Sequence, residues 1–150
     1  MSTRWLSADE QRTWRAFLVA NRRLFDSIDT QLQRDSGIPH PYYEIMVRLS
    51  EAEGRSLRMS ELAAASESSR SRLSHAVARL EERGWVTRAN CSTDRRGLTA
   101  TLTDAGFAAL AEAAHGHVEQ VRRSLFDVLT PEQVKQLREI SEAINEAATD

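Results

Sequence analysis

The sequence predicts a mostly α-helical fold with one small β-hairpin. Three observations carry this: apolar residues recur at three- and four-residue steps over most of the chain, one short region alternates apolar residues with threonine, and capping residues punctuate the boundaries. Ser7-Ala8-Asp9-Glu10 has the form of a capping box, in which serine and glutamate satisfy each other's backbone N–H groups. Trp14, Phe17, Leu18, Leu24, Phe25, Ile28 and Leu32 then mark an apolar stripe on a long helix, ended by Gly37 and Pro39-His40-Pro41. A second helix is expected from about Tyr42 to Glu53, with Tyr43, Met46, Val47 and Leu49 as its apolar surface and Gly54 closing it.

Ser60 is expected to cap a short third helix through Leu62 and Ala63 to Ala65, and Ser66-Glu67-Ser68-Ser69 is a polar break. A fourth helix follows from about Arg70 to Arg83, with Leu73, Ala76, Val77 and Leu80 inward and Gly84 at its C-terminal cap. Trp85 to Arg88 reads as a strand, and Leu98, Ala100 and Leu102 alternate with threonines as a second. Ala89 to Gly97 between them reads as a polar hairpin tip. Thr103 caps a long alanine-rich helix, and Thr130-Pro131-Glu132-Gln133 opens a last one bearing Val134, Leu137, Ile140 and Ile144 on one face.

The bulk numbers suit one domain over residues 1–150: apolar residues are 41% and charged residues 28% of 150. No apolar run approaches the roughly 20 residues that span a membrane, and Asp9 and Glu10 interrupt any leader-like start, so the expected location is cytoplasmic. The single cysteine, Cys91, forms neither an internal disulfide nor a CxxC site. Net charge is −2, yet nine arginines face five acids between residues 55 and 96 while both flanks are net acidic. That block is either an anion-facing surface or a cluster of solvated arginines.

The order helix, polar turn, helix, strand, charged hairpin, strand is a winged helix-turn-helix. With its apolar residues inward, the fourth helix offers Arg70, Ser71, Arg72, Ser74, His75 and Arg79 outward. Such groups suit a DNA major groove: arginine pairs bidentately with guanine, and hydroxyls and imidazole reach base edges or phosphates. Arg95 and Arg96 at the hairpin have no core role and suit the negative potential of a narrow minor groove. Asp94 either orients Arg96 or pins the hairpin, and Gly97 is expected to permit the tight turn.

Met59-Ser60-Glu61-Leu62-Ala63, Leu80-Glu81-Glu82-Arg83-Gly84-Trp85-Val86-Thr87-Arg88, Asp94-Arg95-Arg96-Gly97 and Leu102-Thr103-Asp104-Ala105-Gly106 together resemble the MarR family of regulators. The family pattern, L-x-x-R-G-hydrophobic-hydrophobic-x-R, then D-x-R-G and L-T-x-x-G, is present in order over about Met59 to Gly106. The resemblance implies a homodimer that reads palindromic double-stranded DNA. About 42–103 would form the DNA-binding lobe, and about 5–36 and 104–147 the dimerisation helices. It places the recognition helix at about Ser69–Arg83 and makes Arg96 the minor-groove arginine, with Arg95 at a variable position. It further implies a repressor released by a small aromatic or phenolic anion.

Trp14, His40, Tyr42, Tyr43 and Met46 either line a pocket for such an effector or belong to the core. Trp5, Leu6, Val134, Leu137, Ile140 and Ile144 either pack within one chain or form a two-fold interface. Cys91 beside the basic hairpin is either a redox sensor or inert. His115 and His117, two apart on a helix, point to different sides and disfavour a shared metal. The chain has no GxSxG, P-loop, HExxH or glycine-rich dinucleotide fingerprint, so no enzyme, cofactor or metal is expected. A winged domain used only for protein contact is the competing reading; it leaves the arginines of two separate elements without a purpose.

Overall fold

The computed structural model describes residues 1–66, 68–91 and 94–148, with side chains at 91–96 outside that description. Among the described residues, six α-helices and three strands follow in the order α1 (Ala8–Ser36), α2 (His40–Glu51), β1 (Ser56–Arg58), α3 (Met59–Ser66), α4 (Arg70–Glu82), β2 (Val86–Cys91), β3 (Asp94–Leu102), α5 (Asp104–Ser124) and α6 (Pro131–Ala148). The strands form one antiparallel sheet in the order β1-β3-β2, with Leu57 opposite Ala100 and Val86 opposite Leu102. The mostly helical fold with a small hairpin wing is as the sequence predicts.

The chain divides into two compact units, residues 1–28 with 117–150, and residues 29–116. The second holds the principal core. Leu32, Ile38, Met46, Leu49, Leu62, Leu73, Val77, Leu80 and Val86 are fully buried there. The first is helical and leaves much apolar surface open: Trp5, Trp14, Phe17, Val118, Val128, Ile140 and Ile144 are all exposed, and none of the described α6 residues is buried. Within it, Gln120 Nε2 donates to Ser27 Oγ at 2.8 Å and Ser124 Oγ at 2.7 Å.

Both sequence-read capping boxes are formed. Ser7 N donates to Glu10 Oε2 at 2.8 Å and Glu10 N to Ser7 Oγ at 3.1 Å. Thr130 N donates to Gln133 Oε1 at 2.9 Å and Gln133 N to Thr130 Oγ1 at 3.2 Å.

Several boundaries differ from expectation. The second helix starts at His40, because Pro41 in a first turn sacrifices no hydrogen bond there; Tyr42 N and Tyr43 N both reach Pro39 O. It ends at Glu51, so Gly54, at φ 64°, serves a short 3-10 turn over Glu53–Arg55 instead of closing the helix. Arg55 follows at φ 55°; its guanidinium stacks 3.9 Å over Phe107 and contacts Asp104 Oδ1 at 3.2 Å. The third helix begins at Met59, which puts Ser60 inside its first turn and not at the cap.

The strands are longer than their apolar patterns. β2 runs to Cys91 and β3 starts at Asp94, so Arg95, Arg96 and Gly97 belong to β3 and not to a hairpin tip. Pairing steps from Asn90 opposite Leu98 to Cys91 opposite Asp94, a shift in register that these three residues take up.

Candidate nucleic-acid interface

Helix α4 begins where Ser69 Oγ accepts from Arg72 N at 3.2 Å, satisfying a first-turn donor. It ends in paired bonds from Gly84 N to Glu81 O at 2.9 Å and from Trp85 N to Leu80 O at 3.1 Å, with Gly84 at φ 75°. Only glycine adopts that left-handed turn without strain, and the turn points the chain straight into β2. Leu73, Ala76, Val77 and Leu80 are buried as expected, and their anchoring decides what the rest of the helix presents.

Ser69, Arg70, Ser71, Arg72, Ser74, His75 and Arg79 are all exposed. At about 100° per residue, Ser71 and His75 run along the middle of the outer face, with Arg70 and Arg72 on opposite flanks. Neither Arg70 nor Arg72 has an ion pair with another described residue, and both guanidiniums are exposed to an outside partner. Arg79 differs, with Nη1 3.0 Å from Glu82 Oε2 on the same exposed face. An exposed pair of this kind contributes little and exchanges readily.

Beside the start of α4 lies a groove of about 330 Å³. Arg58, Arg70 and Arg88 and the hydroxyls of Ser60 and Ser74 line it, over Met59, Leu73 and Leu98. Sequence reasoning placed Arg70 and Ser74 but not Arg58, Ser60 or Arg88. For Arg58 the sequence signal was the basic block itself, and Arg88 closes the L-x-x-R-G-hydrophobic-hydrophobic-x-R pattern without a stated role; the sheet that gathers them was invisible because β1 is three residues long and carries no alternation. Asp94, Arg95 and Arg96 open β3, with Asp94 paired opposite Cys91, and their side chains fall outside the described residues, as does that of Cys91.

The residues considered for an effector are scattered in character. Tyr43 and Met46 are buried in the core of the second unit, and burial pushes the Tyr43 hydroxyl pKa up, with the Glu44 charge adding to it. His40 sits 3.3 Å from Glu44 Oε1, and its backbone N–H donates to Asp29 Oδ1 at 2.8 Å. Tyr42 is half-buried, while Trp14 is an exposed residue of the first unit. No group of three or more metal-ligating side chains occurs among the described residues. No helix searched is long and apolar enough to cross a membrane.

A MarR family profile matches residues 36–97, the stretch from the end of α1 to the base of β3. The fold also matches the crystal structure of Sco3205, a MarR family transcriptional regulator from Streptomyces coelicolor, with a TM-score of 0.94 and 52% identity, over 97% of this chain and 91% of that one. The chain belongs to the MarR family. A second Streptomyces coelicolor regulator of the family, AbsC, matches with a TM-score of 0.92 and 44% identity over 98% of this chain and 99% of that one. The transcriptional repressor MprA of Escherichia coli strain K12 is 33% identical over 82 residues, 55% of this chain and 47% of the repressor. The match thus spans about half the length of that relative. The Sco3205 structure is a complex with DNA. As a MarR family transcriptional regulator, this chain has in its motif glycines and arginines the parts that hold α4 and the sheet together.

Proposed function

We propose that this MarR family chain is a sequence-specific regulator that binds double-stranded DNA, with α4 in the major groove. The observation that carries the reading is the outer face of α4: two exposed guanidiniums, without ionic partners among the described residues, flank a strip of serine and histidine. Groups of this size and polarity complement guanine edges and phosphates. Support comes from Sco3205, 52% identical, whose structure is a complex with DNA. By the family pattern, Arg96 enters the minor groove, with Asp94 and Arg95 beside it.

The reading includes a homodimer. The open apolar surface of the first unit, with Trp5, Leu6, Ile140 and Ile144 exposed, is the material of a two-fold helical interface. Two copies of α4 would then read the halves of a palindrome, about one helical turn apart. Repression is supported by the partial match to a repressor. Release by a small aromatic or phenolic anion, and a cytoplasmic location, follow from the family resemblance. In that reading Trp14, His40, Tyr42, Tyr43 and Met46 remain the residues to vary when effectors are screened.

The test is the salt dependence of binding to a duplex selected from a random library. If α4 and the sheet dock on several phosphates, raising salt from about 50 to 200 mM weakens binding by about a thousandfold. A flat response would remove the phosphate-docked geometry.

A further inference from the structure

We infer that Arg88 is a positioning residue: together with Glu81 it fastens the wing to the recognition helix and holds the two in one register. This rests on the DNA-binding reading above. Along β2, Val86 and Arg88 point to the same side of the strand. Val86 is buried in the core, and the Arg88 side chain, 24% exposed, marks where that side leaves the core. Ala89 and Asn90 beyond it are exposed. At that edge Arg88 turns onto α4. Its Nε donates to Glu81 Oε1 at 2.7 Å, Nη2 lies 2.6 Å from the same oxygen, and Nη1 reaches Ser74 Oγ at 3.5 Å. Ser74 and Glu81 are seven residues apart, so one guanidinium spans about two turns of α4.

This pair differs in kind from the pairs formed within single helices. Arg12 with Asp9 and Arg79 with Glu82 each join neighbours within one helix, and their side chains are more than half exposed. Arg88 and Glu81, at 24% and 31%, join a helix to a strand across 7 residues of chain that include the Gly84 turn. Charge-assisted bonds that are partly screened from water are the stronger sort. Outward of Arg88 the hairpin changes register between Asn90 and Cys91, so the ribbon carrying Arg95 and Arg96 takes its direction from the point at which β2 is tied to α4. Glu81 also neutralises Arg88, which is why Arg88 serves geometry and adds little to the cationic face.

Two accounts of Glu81 therefore predict opposite signs for Glu81→Gln. Were Glu81 merely an acid near DNA, its neutralisation would tighten binding. As half of a fastening, its loss weakens binding by about tenfold, the equivalent of one charge-assisted contact. Arg88→Lys, which keeps the charge but cannot span two turns of helix, carries the same expectation. The probe is a duplex recovered by selection with the wild-type protein, read by fluorescence anisotropy at fixed salt, with unfolding temperature recorded for each variant. Arg96→Ala is then added to the wild-type and Glu81→Gln backgrounds. The expected result is about a tenfold cost in the first and less than about twofold in the second, because an unfastened wing no longer delivers Arg96. Equal or tighter binding by Glu81→Gln overturns the inference, as does an undiminished Arg96→Ala cost in that background. Both results leave the DNA-binding reading standing, since the wild type supplied the duplex. Failure of the wild type to select any duplex removes that reading and this inference together.

Discussion

Replacing Arg70 and Arg72 together by alanine is expected to weaken binding to the selected duplex by about a hundredfold or more. Each base- or phosphate-pairing arginine contributes about 1–3 kcal/mol, and the two lie on opposite flanks of α4, so their losses are expected to add. The unfolding temperature should stay where it is, because both side chains are exposed and neither holds an ion pair with another described residue. The single Arg72→Ala variant should also relax preference at one base position, which repeating the selection with that variant reads out. An unchanged dissociation constant for the double variant would remove α4 from the interface.

The second large effect is on the fold. Gly106 lies in the first turn of α5, where Thr103 joins three pieces of chain. Thr103 Oγ1 accepts from Gly106 N at 3.0 Å and donates to Gly84 O at 2.7 Å, while Thr103 N donates to Trp85 O at 2.9 Å. A Cβ at Gly106 would fall on that same Trp85 carbonyl oxygen and 2.7 Å from Leu102 Cδ1. The carbonyl cannot retreat without breaking its bond to Thr103, so the helix must shift. Overpacking of this kind costs about 1–3 kcal/mol or more, and in a chain of this length Gly106→Ala should lower the unfolding temperature by about 5–10 °C. Calorimetry checks it. An unmoved transition would mean that the turn between α4 and β2 yields easily.

That junction also explains why the motif resemblance was informative. The R-G step is Arg83-Gly84, which ends α4 through a left-handed glycine, and L-T-x-x-G is Leu102 to Gly106, which closes the sheet onto α5. Arg83 itself reaches Gly37 O at 2.9 Å and lies 5.0 Å over the Trp85 ring. These residues meet in space although they come from three stretches of sequence, and only the three-dimensional arrangement gives each its reason.

The helices were legible because each has an apolar stripe and several open on recognisable capping residues, as at Ser7, Thr103 and Thr130. What escaped was structure without such a stripe. β1 is too short to alternate, and the sequence of the outer β2-β3 ribbon, Asn90-Cys91 with Asp94-Arg95-Arg96-Gly97, holds no apolar alternation, so hydrophobic periodicity had nothing to report. The outward face of α4 was read correctly as an exposed set, because fixing four buried residues fixes their opposites. Arg88 was not, since its partner Glu81 lies across a turn whose course depends on Gly84. Asp35 shows the same dependence on neighbours at smaller scale: the hydrogen bond from Arg34, with another from Gln31, draws its carboxyl pKa down to about 2.

Selection of duplexes from a random library by the wild-type protein tests the central claim most directly. The account predicts an enriched inverted repeat whose half-sites are centred about 10 base pairs apart, one for each α4 of a two-fold dimer. Recovery of no preferred duplex, or of a single unrepeated site, would contradict it.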